Sequence, residues 1–225
     1  MLWLAAGIYD ANVGAMVGRF PRVLCGDIAV SVSLKVTALA AGLPGVDLKR
    51  LLEASPQLLS LDPHTTVIAR AHTLAALLPR RDVLRMCELH PPLLTVCAQR
   101  TVAPALGALR AALAAHGAAK NCADAVVERA PRLLTTAPAT AAARMALLER
   151  VAPGTVHALR NKPASLARLL CASERALMRI RFLREEHPKE ALGPSRAVGL
   201  TAADFAERFP AFDAWFDARQ GGSDV

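Results

Sequence analysis

Apolar residues in this chain fall at helical spacing in short runs, and the runs end at one recurring signature. Val13, Met16 and Val17 form one run, and Leu48, Leu51 and Leu52 the next. Val83, Met86 and Cys87 form the third, and Ala123, Val126 and Val127 the fourth. Steps of three and four residues mark one face of a helix. After each run comes a proline followed by paired apolar residues: Phe20-Pro21-Arg22-Val23-Leu24, Ser55-Pro56-Gln57-Leu58-Leu59, His90-Pro91-Pro92-Leu93-Leu94 and Ala130-Pro131-Arg132-Leu133-Leu134. A degraded copy follows at Lys162-Pro163-Ala164-Ser165-Leu166. The prolines are spaced by 35, 35, 40 and 32 residues. A period in this range predicts a solenoid of stacked supersecondary units.

Each unit reads as helix, turn, helix and a break. Proline donates no backbone hydrogen bond and disfavours helical geometry in the residue before it, so the second helix should stop at Ser55, His90 and Ala130. A tight helical turn suits the signature itself. Helices are expected over 30–41, 46–54, 65–78, 82–89, 102–116, 141–151, 155–160, 173–186 and 201–208. Gly7, Gly42 and Gly117 stand fourteen residues before their prolines, with Leu77 in that place in the remaining copy. Pro44-Gly45 and Pro153-Gly154 punctuate turns, and Asp27 and Asp62 are placed to cap helices.

The set of motifs resembles the mitochondrial transcription termination factor (mTERF) family. FPRVL, SPQLLSLD and APRLL, each with helical flanks, carry the resemblance, which covers residues 1–187. It implies an all-α solenoid of either hand, with about five repeats of two α-helices and a short 3₁₀ turn. It also implies an organellar setting, the mitochondrial matrix or alternatively the chloroplast, and a basic concave face that grips nucleic acid. Family members act in transcription termination, RNA processing and organellar ribosome biogenesis. The chain departs from the pattern at Leu77, in the long 91–131 spacing and in the weakly marked last unit.

Composition sharpens this picture. Hydrophobic residues make up 53% of the 225-residue chain and aromatics only 4%, so the core is built from Ala, Leu and Val, which suits close-packed helices. Net charge is +8, which favours an acidic partner, nucleic acid before membrane. The five cysteines are widely spaced and form no CxxC pair, so neither a zinc site nor a disulfide framework is read. Cys87 and His90 lie three residues apart, but no second pair completes a metal site. Charge or proline interrupts every apolar stretch before bilayer length. Residues 1–24 read as half a repeat with no presequence ahead of it, as expected for part of a longer protein.

Basic residues concentrate in the second half. The candidate nucleic-acid contacts are Arg81, Arg85, Arg110, Arg132, Arg144, Arg160, Lys162, Arg168, Arg175, Arg179, Arg181 and Arg184. Guanidinium groups suit phosphate, and Arg175, Arg179, Arg181 and Arg184 are expected to form a broad basic face on one helix. Replacing Arg179 and Arg181 with alanine should then weaken binding without unfolding the chain. Few aromatics are available for stacking on bases, so phosphate and shape recognition of structured RNA, ribosomal RNA included, or of duplex DNA is expected. The pattern contains no Gly-rich phosphate loop, HExxH or GxSxG, so no catalytic residue, metal or cofactor is assigned.

Residues 188–200 read as a linker, and 201–225 as a helical cap with a disordered end at 221–225. Phe205, Phe209, Phe212, Trp215 and Phe216 either close the array or present anchors to an organellar or ribosomal protein. A protein scaffold with no nucleic-acid contact is the alternative function.

Overall fold

The computed structural model describes residues 11–24, 28–190 and 192–220. The expectations for Gly7, Cys25, Asp27 and 221–225 lie outside them. Among the described residues every regular element is helical, with fourteen α-helices. The chain divides into two compact units. One runs through Ala105 and takes in Leu134–Thr136; the other comprises Leu106–Leu133 and continues from Ala137.

The first unit contains α1 (Val13–Arg19), α2 (Ile28–Gly42), α3 (Leu48–Ala54), α4 (Ala69–Leu77) and α5 (Val83–Leu89). Each of α1, α3 and α5 is followed at once by a 3₁₀ turn, at Pro21–Leu24, Pro56–Ser60 and Pro91–Leu94. The residue before each proline leaves helical geometry in nearly the same way: Phe20 has φ −145° and ψ 79°, Ser55 −141° and 70°, His90 −145° and 76°. That is the pre-proline restriction acting at the expected place. A π-helical turn, Pro63–Ile68, opens α4, and Asp62 caps it by accepting from the Thr65 N–H at 2.7 Å. A second π turn, Ala98–Val102, leads into α6 (Ala103–Ala115), within which the unit boundary falls.

Helix α3 packs on both α1 and α5, and α4 packs on α5. Met16, Leu51, Leu52, Met86 and Cys87 from the expected stripe are buried. So are both leucines of the Pro56 and Pro91 signatures. Burying a leucine contributes about 1.5–3 kcal/mol, so the stripe and signature are a substantial source of cohesion between neighbouring helices. Gly42 ends α2 where a β-carbon would lie 2.1 Å from Ile68 Cδ1, so any side chain there would require the Ile68 side chain to move.

The second unit contains α7 (Cys122–Arg129), with the 3₁₀ turn Pro131–Thr135 after it, then α8 (Pro138–Val151), α9 (Thr155–Leu159), α10 (Pro163–Leu170) and α11 (Glu174–Glu186). Three short helices complete it: α12 (Pro194–Gly199), α13 (Ala202–Arg208) and α14 (Phe212–Gln220). Helix α10 packs against α7 and α8, and α11 against α8, α12 and α14.

Two expectations change here. The degraded signature at Pro163 is no 3₁₀ turn but the first residue of α10. Proline is well suited to that position, and Leu166, Ala167, Leu169 and Leu170 form a buried stripe that sustains a full helix. The 188–200 segment, read as a linker, carries α12, whose Ala197 is fully buried against the unit. The aromatic tail closes the core. Phe205, Phe209, Phe212 and Trp215 are buried around Phe182, with ring centroids 5.3–6.4 Å from it, and Phe216 is half-buried.

Candidate nucleic-acid interface

The basic residues divide by what answers their charge. The first group clamps backbone carbonyls. Lys35 Nζ donates to Leu59 O at 2.6 Å and Arg70 Nη1 to Leu94 O at 2.9 Å, a pair of bonds repeated after 35 residues. In the second unit Arg144 Nη1 donates to Leu170 O and Ala172 O at 3.0 and 3.1 Å. Arg179, 35 residues later, donates to Leu200 O at 2.8 Å. Each cation thus reaches the end of a helical turn, where carbonyls lack intrahelical partners and the dipole favours positive charge.

Arg179 departs furthest from expectation. The sequence pattern places it on an exposed basic face, yet it is only 6% exposed and its guanidinium lies 4.6 Å from the Phe205 ring centroid. Burial, with Arg175 beside it, pulls its pKa below the ordinary value. The expected basic face of α11 is therefore absent as a face. Arg175 pairs with Asp213 at 2.8 Å, Arg181 with Glu185 at 2.7 Å, and Arg184 Nη2 donates to Thr155 Oγ1 at 3.0 Å. Helix α11 is a hub: Arg175, Arg179 and Arg184 tie it to three other segments, while Arg181 pairs within the helix.

A second group is neutralised by carboxylates. Besides Arg175 and Arg181 it includes Arg85 with Glu88 at 2.7 Å and Arg110 with Asp124 at 2.8 Å. Exposed pairs of this kind are worth at most about 1 kcal/mol and lower the field available to a polyanion. Glu149, which neighbours Arg150 in sequence, instead accepts from the Gly154 and Val156 N–H groups and so caps α9.

The third group keeps its charge on the outside. Arg160 Nη1 donates to His157 O at 2.8 Å, and Arg168 Nη1 to Ser195 O at 3.3 Å. Arg132 donates to Cys171 O. Lys162, exposed between α9 and α10, has no side-chain partner among the described residues. Arg81 is half-buried in the turn between α4 and α5. For Arg144, Arg160, Arg168 and Arg184 the acceptors are neutral, so the bonds fix the side chains without cancelling their charge.

Several framework residues had gone unread. Asn12, Asp47 and Asp82, each 35 residues apart, cap α1, α3 and α5 by accepting from the N–H groups of Ala15, Arg50 and Arg85. Their repetition in register with the prolines was the available signal. No protein-family model, curated protein or solved structure matches this chain.

Proposed function

We propose that this chain is a non-catalytic, nucleic-acid-binding repeat protein of organellar gene expression. In this reading it is an array of about five mTERF-like repeats, and it grips the phosphate backbone of structured RNA, ribosomal RNA included, or of duplex DNA. The Pro-x-φ-Leu period supports the repeat assignment, as do the caps and carbonyl clamps that recur with it. One observation carries the binding assignment. Arg144, Arg160, Arg168 and Arg184 of the second unit are held by neutral oxygens, and Lys162 has no side-chain partner among the described residues, so preorganised positive charge stands without a directly paired carboxylate. Guanidinium groups fixed in this way lose little freedom on meeting a phosphate.

A salt titration tests the reading. Binding of a fluorescent RNA hairpin and of a matched DNA duplex should weaken steeply as salt rises, because each neutralised phosphate releases counterions. Affinity that is absent, or indifferent to salt, would leave the protein-scaffold reading in its place.

A further inference from the structure

The second unit carries a recess of about 460 Å³ lined by Arg168 of α10, Arg196 of α12 and Arg208 of α13. Among the described residues Glu190 is the one carboxylate in its wall, and it pairs with Arg208. Arg168 is held by Ser195, through the backbone O and Oγ at 3.3 and 3.4 Å. Gly199 lies against it: a β-carbon at that position would stand 3.3 Å from Arg168 Nη1. Arg196 is exposed and has no side-chain partner among the described residues. Three guanidiniums against one carboxylate leave a surplus of two positive charges. Leu192 and Leu200, both half-buried, supply an apolar wall beside them.

We propose that this recess binds a phosphate monoester, the terminal 5′-phosphate of a nucleic-acid strand. The charge decides between phosphate types: a monoester carries about −1.5 to −2 at pH 7, matching the surplus, whereas an internal diester carries only one negative charge. The volume lies within the usual range of about 300–1,000 Å³ for ligand sites, ample for one nucleotide, with the apolar wall against its sugar or base. The source of the phosphate rests on the nucleic-acid reading above; the monoester chemistry stands on the recess alone.

The test compares oligoribonucleotides of one sequence with a 5′-phosphate or a 5′-hydroxyl end, together with a nucleoside 5′-monophosphate. The 5′-phosphorylated strand should bind about tenfold more tightly than the 5′-hydroxyl strand, and Arg196→Ala should abolish the difference with an unchanged circular dichroism spectrum. Equal binding of both strands would overturn the recess while leaving the nucleic-acid reading standing. Binding of the monophosphate alone, lost in Arg196→Ala, would keep the monoester site and overturn the strand as its source. Failure of all three ligands would remove both.

Discussion

The backbone N–H of Asp47 donates to Glu88 Oε1 at 2.8 Å, and the same bond joins Asn12 to Glu53 Oε1 at 2.8 Å, 35 residues earlier. The residue that caps one helix therefore has its own amide satisfied by the glutamate one repeat further on. Glu88 is held below the usual carboxylate pKa, first by this amide and then by Arg85. Its contribution is therefore present above the unfolded value of 4.5 and disappears as pH falls through the lowered folded value. Glu88→Gln should cost about 1–2 kcal/mol at neutral pH and flatten the loss of stability below pH 4.5, read by urea unfolding across an acid series.

Arg179→Ala should destabilise the second unit by about 2–4 kcal/mol, because it strands Leu200 O and removes the cation packed on Phe205. Arg181→Ala removes one exposed pair and should cost no more than about 0.5 kcal/mol. Thermal melts of the two single variants separate these effects. Equal melting temperatures would return Arg179 to the surface role first assigned to it.

Arg160→Ala with Lys162→Ala should lower affinity for the RNA hairpin and reduce the salt slope by about two, with the melting temperature unchanged. A full slope in a folded double variant would take the turn between α9 and α10 out of the interface.

Thiol chemistry should be ordered by environment. The exposed Cys97 is held below the ordinary thiol value, chiefly by the Arg100 backbone N–H, whereas burial pushes Cys87 up to about 12. Cys97 should be alkylated well before Cys87 in the native protein, as mass spectrometry after limited iodoacetamide treatment would show. Comparable rates would mean that the helix carrying Cys87 opens readily.

Gly42→Ala should cost about 1–3 kcal/mol through the clash with Ile68, and combining it with Ile68→Ala should cost less than the sum of the two single losses. Denaturant midpoints of both single variants and the double variant give the coupling, and additive losses would show that the helix end shifts aside instead.

The helices and their stops were legible in the sequence because they depend on local rules: spacing on one face, and the constraint proline places on its neighbour. Leu51, Leu52, Met86 and Cys87 are buried as the stripe predicts, and Ser55 and His90 end their helices. Glycine spacing was a poorer guide. Gly42 is small because Ile68 lies against it, while Gly117 takes a left-handed φ of +73° after α6. Local pattern equated two residues with different work. The basic residues were the least legible, since Arg175, Arg179, Arg181 and Arg184 share one helix but are answered by Asp213, Leu200 O, Glu185 and Thr155. Asp213, Leu200 and Thr155 arrive from elsewhere in the chain, and no spacing on α11 announces them; only Glu185, four residues after Arg181 on the same helix, is written in the local pattern. Pro163 misled for a related reason: the same residue that closes one helix opens another when a buried stripe follows it.

The carbonyl clamps have an effect on the protein's behaviour in electrolyte. Lys35, Arg70, Arg144 and Arg179 bind oxygens that carry no formal charge, so each bond leaves one positive charge in place, within a chain whose net charge is +8. Self-repulsion accumulates instead of cancelling, and small ions relieve it. Moderate salt should therefore raise the melting temperature of the free protein while loosening its grip on a polyanion. Folding and binding would then respond to the same ions in opposite directions.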